Sequence, residues 1–178
     1  MAQPPGPYDF LPAVASFELR SDDIADGQML SMPQVSGIFG AGGEDRSPHL
    51  TWSGAPEGTL SYAVTCFDPD APTGSGFWHW VMYDIPASRT ELAAAAGDVE
   101  GTGLRWGIKQ LRNDAGMAGY LGAAPPPGHG PHRYIFAVHA LSVATLPIDA
   151  NASPAFCGFN MFGTTLGRAL ITPIYEQG

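Results

Sequence analysis

Four side chains in this sequence are of the types needed to hold a small anion: Asp68, His79, His132 and Tyr134. Imidazole N–H groups and a phenolic O–H donate hydrogen bonds to phosphate or carboxylate oxygens. A nearby carboxylate orients an imidazole and favours its charged form. The apolar runs say how residues so far apart in number can meet. Ser61–Phe67 (SYAVTCF), Trp78–Ile85 (WHWVMYDI) and Tyr134–Leu141 (YIFAVHAL) read as strands covered on both faces. Asp68 follows the first strand and His79 opens the second. The loop between them joins an antiparallel pair, so both residues reach the same end of the sheet. His132 stands at the opening of the third strand. If that strand runs antiparallel to the first, His132 arrives at the same rim, with Tyr134 on its face.

The segments around these residues are stiff. Pro69 and Pro72 frame one loop, and Pro125, Pro126 and Pro127 the other. A rigid loop loses less entropy when a ligand binds. Trp78 and Trp80 are expected to point to opposite faces, so at most one lines the pocket; Trp80 is counted with it. Asp70 reads equally as a turn residue that bonds loop amides. Arg133 is expected to pair with an acidic neighbour and hold the loops. His139, in mid-strand, reads as structural, and His49 and His129 as loop residues without an evident partner.

Elsewhere, Met1–Pro12 reads as a loose arm, Ser16–Leu19 as a short strand and Gln34–Gly43 as a bent loop. Glu91–Ala96 (ELAAAA) suits a helical turn or two. Ser153-Pro154 is a helix start: serine caps, and proline is tolerated at the first helical position. Phe156, Phe159, Phe162, Leu166 and Leu170 continue at helical spacing until Pro173, and Ile174–Glu176 reads as a last strand.

Length and composition bound the class. A chain of 178 residues suits a single domain spanning 1–178, and 23 Gly with 17 Pro suit short strands joined by shaped loops. A net charge of −9 with only 8 Lys and Arg leaves no electrostatic footprint for nucleic acid and no polybasic patch for a membrane surface. No apolar run approaches the roughly 18 residues of a membrane span, and the Pro-rich start lacks the pattern of a signal peptide. The expected location is cytoplasmic. Cys66 and Cys157 sit in apolar contexts and are expected to be buried free thiols.

Two ordered motifs also resemble a known family. Asp68-Pro69-Asp70-Ala71-Pro72 followed by His79-Trp80 is similar to the first signature of the phosphatidylethanolamine-binding protein family. Asn113-Asp114, then Gly119-Tyr120-Leu121-Gly122 through Pro125-Pro126 to His132-Arg133-Tyr134, resembles the second, with the spacing of the bacterial Raf kinase inhibitor-like branch. The resemblance covers nearly the whole chain. It implies a mainly β fold, a large antiparallel sheet packed on a smaller one, with a few peripheral helices including one near the C-terminus. By position it implies a pocket of Asp68, Asp70, Pro72, His79, Pro126, His132 and Tyr134. The ligand implied is a phosphate, a phospholipid head group or a carboxylate. It further implies a possible kinase or protease partner, and a homodimer. Ala71–Pro72 is expected to be a cis peptide on the same ground. The sequence departs from the family at Ala123-Ala124, where Gly-Pro or Ser-Gly is common, and a methyl at Ala124 would narrow the pocket mouth.

Binding without catalysis, and without a cofactor, is therefore the leading expectation. An acid–base hydrolase built on Asp68 and His132 competes with it, though no G-x-S-x-G elbow and no evident nucleophile joins them. One carboxylate and two histidines could also hold a metal, and a surface loop could inhibit an enzyme without using the pocket.

Overall fold

The structure, a computed structural model, describes residues 4–178. The first three residues of the expected arm lie outside the described residues. The strands in chain order are β1 (Ala15–Ser16), β2 (Glu18–Arg20), β3 (Leu50–Ser53), β4 (Ser61–Asp68), β5 (Phe77–Pro86), β6 (Glu91–Leu92), β7 (Lys109–Gln110), β8 (His132–Arg133) and β9 (Ile135–Leu141). One helix, α1 (Pro154–Met161), precedes β10 (Thr165–Ile171) and β11 (Ile174–Tyr175). The fold is mainly β. Six strands form the large sheet in the order β1-β10-β9-β4-β5-β7, antiparallel except where β1 joins β10. Two smaller sheets, β2-β3-β6 and β11-β8, accompany it.

Every residue of β4 and β9 is buried, which is why their sequences read as continuous apolar runs. The large sheet carries a core on each face. Val64, Cys66, Trp80, Met82, Phe136 and Val138 belong to one, while Ala63, Val81, Tyr83 and Leu141 pack with Cys157 and Met161 of α1 in the other. Both cysteines are buried free thiols.

Several expectations need correction. The third strand does not begin at His132. β8 pairs with β11 in its own small sheet, and the chain enters β9 only after Tyr134. The C-terminal helix is short. Ser153 caps it, its hydroxyl accepting the Phe156 N–H at 3.1 Å, but α1 ends at Met161 and Thr165–Ile171 is a strand against β9. Gly158, Gly163 and Gly167 weaken helical propensity there, and pairing in the sheet buries Gly167, Ala169 and Ile171. Gly167 is needed in β10, since a β-carbon would lie 2.9 Å from Pro56 and 3.0 Å from the Ala15 carbonyl. Glu91 and Leu92 form β6 rather than a helical turn, and Ala95 takes a φ of 66° that no right-handed helix contains. The short strand expected at Ser16–Leu19 is divided between β1 and β2, in different sheets. The Ala71–Pro72 bond is trans, as are the other peptide bonds among the described residues. The arm is tied down at two places: Pro4 O accepts from Arg133 Nη2 at 2.7 Å, and Tyr8 Oη lies 2.9 Å from Thr65 Oγ1.

Candidate functional site

A β-bulge sets the centre of the site. Cys66 pairs with Trp80 and Phe67 with Trp78, leaving His79 as the extra residue of β5. The bulge sends the two tryptophans to opposite sides, as expected. It also aims His79 into a cavity of about 180 Å³ at the end of the sheet. Asp68, Pro72, His79, Ala124, Pro126, His132 and Tyr134 all line this cavity.

Two expected members do not. Trp80 is fully buried in the core, where its indole N–H donates to Gln110 Oε1 at 2.7 Å. Asp70 is occupied by Arg133, whose Nε and backbone N–H donate to Oδ2 and whose Nη2 donates to Oδ1 at 2.7 Å. Burial alone would raise the Asp70 carboxyl, but the Arg133 hydrogen bonds outweigh it and hold the group below its ordinary value. The pair fastens the loop after β4 to β8, which brings Asp68 and His132 together.

The polar groups are closely specified. His79 Nδ1 lies 2.8 Å from the Leu121 carbonyl, which can only accept, so Nδ1 carries the proton. Leu121 N–H returns a bond to the His79 carbonyl at 2.9 Å. The ring sits between Phe77 and Tyr134, at centroid distances of 4.8 and 5.1 Å. Burial lowers its pKa, so the neutral ring offers a lone pair at Nε2. Asp68 Oδ1 accepts the Asp70 N–H at 2.8 Å, and Oδ2 lies 2.8 Å from His132 Nδ1. His132 Nε2 lies 2.7 Å from His129 Nδ1. His129 thus has a partner that its sequence context did not suggest, and so does His49, beside Asp22 and Glu91. The Tyr134 hydroxyl is buried and has no hydrogen-bond partner among the described residues. Burial raises the phenol's pKa strongly, so it remains an O–H donor.

Sequence reasoning missed the aromatic part of the walls, though not the prolines, and one positioning residue. Phe39, from the Gly-rich loop, and Phe77 join the lining. Asp45 accepts the Gly122 N–H through Oδ1 at 2.8 Å and the Gly37 N–H through Oδ2 at 2.9 Å, joining that loop to the cavity wall. Gly122 must lack a side chain, because a β-carbon would lie 2.3 Å from the Val35 carbonyl carbon. The glycines around Phe39 were the available signal for a loop near the site; nothing in the spacing marked Asp45. Among the described residues no serine or cysteine lines the cavity, and Thr73, the one aliphatic hydroxyl among them, donates to the Gly76 carbonyl. Among the described residues, no group of three or more His, Cys, Asp or Glu is arranged to hold a metal. No helix of the described residues is long and apolar enough to cross a membrane.

Comparison with known proteins points in one direction. Residues 20–176 match the family model described as phosphatidylethanolamine-binding protein. UPF0098 protein YbcL of Escherichia coli is 48% identical over 167 residues, spanning 94% of this chain and 91% of the relative. UPF0098 protein YbhB of the same organism is 45% identical over 159 residues, spanning 89% and 99%. The crystal structure of E. coli YbcL, described as a new member of the mammalian PEBP family, superposes with a TM-score of 0.89, covering 92% of this chain and all of that one.

Proposed function

This chain belongs to the phosphatidylethanolamine-binding protein family, and on that premise we propose that its cavity holds the anionic head of a small ligand, a phosphate, phospholipid head group or carboxylate, without chemical turnover. The observation that carries this reading is the orphaned Tyr134 hydroxyl. A buried donor without a partner costs about 1–3 kcal/mol, and a ligand oxygen in the cavity removes that cost.

The rest of the site suits the same occupant. Each Asp68 carboxylate oxygen accepts a hydrogen bond within the protein, Oδ1 from the Asp70 N–H and Oδ2 from His132. His79 Nε2 accepts from a protonated phosphate, or donates to a carboxylate once the ring is charged. Phe39, Phe77 and the prolines supply apolar walls. A volume of about 180 Å³ equals roughly six water volumes, which suits a head group rather than a whole lipid. Ala124 lines the wall, so its methyl bears on which head groups enter.

Hydrolysis is the weaker reading because no free nucleophilic side chain among the described residues faces the histidines. The family resemblance, not the cavity, motivates modulation of a kinase or protease. Titration with inorganic phosphate, phosphorylethanolamine and acetate, followed through the imidazole resonances of His79 and His132, tests the proposal. Saturable shifts at both rings are expected. Flat titrations with all three compounds would overturn it, and turnover of an ester panel lost in His132→Ala would replace it with the hydrolase reading.

A further inference from the structure

On the other face of the large sheet, beneath α1, lies a second cavity of about 470 Å³. That volume is within the ~300–1,000 Å³ of small-molecule sites. Trp78, His139 and Arg168 line it from the sheet, Tyr8 from the N-terminal arm, and Phe159 and Phe162 from α1 and its end. The two phenylalanines are 75% and 60% exposed, large values for aromatic side chains beside a cavity.

Arg168 is the unusual member. Its Nε donates to His139 Nδ1 at 3.2 Å, and its guanidinium lies 4.2 Å from the Tyr8 ring centroid. With Nδ1 accepting, the His139 ring is neutral and its Nε2 proton faces Thr65 Oγ1 at 3.0 Å. No carboxylate among the described residues lies within ion-pair distance of Arg168. A half-buried guanidinium therefore faces an apolar cavity without a counter-ion, in a protein whose net charge is −9.

We propose that this cavity binds a single-chain amphiphilic carboxylate, with the alkyl chain among the α1 phenylalanines and the carboxylate on the Arg168 guanidinium. Charge complementarity selects the head, since a guanidinium matches a carboxylate in planar, paired hydrogen bonds. The apolar walls select the tail. The site is separate from the His79–Tyr134 cavity, and neither proposal depends on the other.

Calorimetric titration of the full chain with octanoate, decanoate and dodecanoate, below micelle formation, tests it. Saturable binding is expected, tighter by about fourfold per added methylene. Decyltrimethylammonium should not bind. Arg168→Gln should weaken decanoate at least tenfold. Gly158→Leu provides a second variant, because Gly158 lines the cavity and a β-carbon there meets nothing within 4 Å. It should weaken decanoate while leaving thermal unfolding intact. Tyr134→Phe and excess inorganic phosphate should leave decanoate binding unchanged. Displacement by phosphate, equal binding of the cationic amphiphile, or wild-type affinity in Arg168→Gln would overturn the proposal. So would a concentration-dependent dimer broken by Phe159→Ser in a protein that takes up no decanoate, which would assign the face to a second copy of the chain.

Discussion

His132 Nδ1 donates to Asp68 Oδ2 across 2.8 Å, and both side chains are less than 5% exposed. The bond joins the end of β4 to β8, two strands of different sheets, and it closes the back of the candidate site. Removing one partner of such a buried pair leaves the other without compensation, typically at about 3 kcal/mol. Asp68→Ala should lower the unfolding free energy read from urea denaturation by that amount and abolish phosphate binding. Asp68→Asn keeps the shape and an acceptor oxygen, so it should recover part of the stability. Equal losses in the two variants would show that the ionised carboxylate, not its shape or a neutral acceptor oxygen, holds His132; full recovery in Asp68→Asn would show that packing and a neutral hydrogen bond suffice.

Tyr134→Phe should separate binding from stability. The hydroxyl makes no bond in the protein, so its removal should leave unfolding free energy within about 1 kcal/mol of the parent, or raise it. A hydrogen bond to a charged oxygen contributes about 1.5–3 kcal/mol, so phosphate affinity should fall tenfold or more. Isothermal titration together with urea denaturation reads both. A variant that loses stability but keeps affinity would remove the observation on which the binding proposal stands.

Much of this site was legible because strand ends are legible. Three apolar runs located β4, β5 and β9, and the proline loops that follow the first and precede the third placed Asp68, His79 and His132 on one rim. What stayed hidden was set by contacts distant in sequence. The bulge at His79 depends on register with Cys66 and Phe67. The bond from Gly122 to Asp45 spans 77 positions. The pairing of β8 with β11 recruits a C-terminal strand that no local pattern ties to His132. The late helix was overextended for a related reason. Phe162, Leu166 and Leu170 keep a helical period, but β9 offers β10 a full ladder of hydrogen bonds, and tertiary pairing overrides so weak a helical preference.

Acid should destabilise the protein in a defined window. Burial, aided by Arg168, lowers the pKa of His139 from 6.5 to about 3, and burial lowers that of His79 as well. The unfolded chain binds these protons near pH 6.5, whereas the folded chain does not. Stability is therefore complete above pH 6.5 and is lost as pH falls below it, His139 contributing about 1.4 kcal/mol per pH unit down to about pH 3. Urea midpoints between pH 7.5 and 4.5 should show this slope, and His139→Gln should flatten it by one proton. Phosphate, by favouring a charged His79, should bind more tightly as pH falls below 6.5 and offset part of the loss.

His129 stands between His132 and any ligand that would reach it. With Nδ1 committed to Asp68, the only other ring nitrogen of His132 is Nε2, and His129 Nδ1 sits 2.7 Å from it. A ligand that reaches His132 must first exchange this contact, which costs about 1 kcal/mol, or roughly a fivefold loss of affinity. His129 is exposed, so replacing it should cost the fold little beyond this one contact, about 1 kcal/mol. His129→Ala should therefore lower the unfolding free energy by only about 1 kcal/mol, tighten phosphate about fivefold and enlarge the shift of the His132 resonances on titration. If affinity instead falls, His129 contacts the ligand itself, and the exposed loop from Pro126 to Gly130 is part of the binding surface.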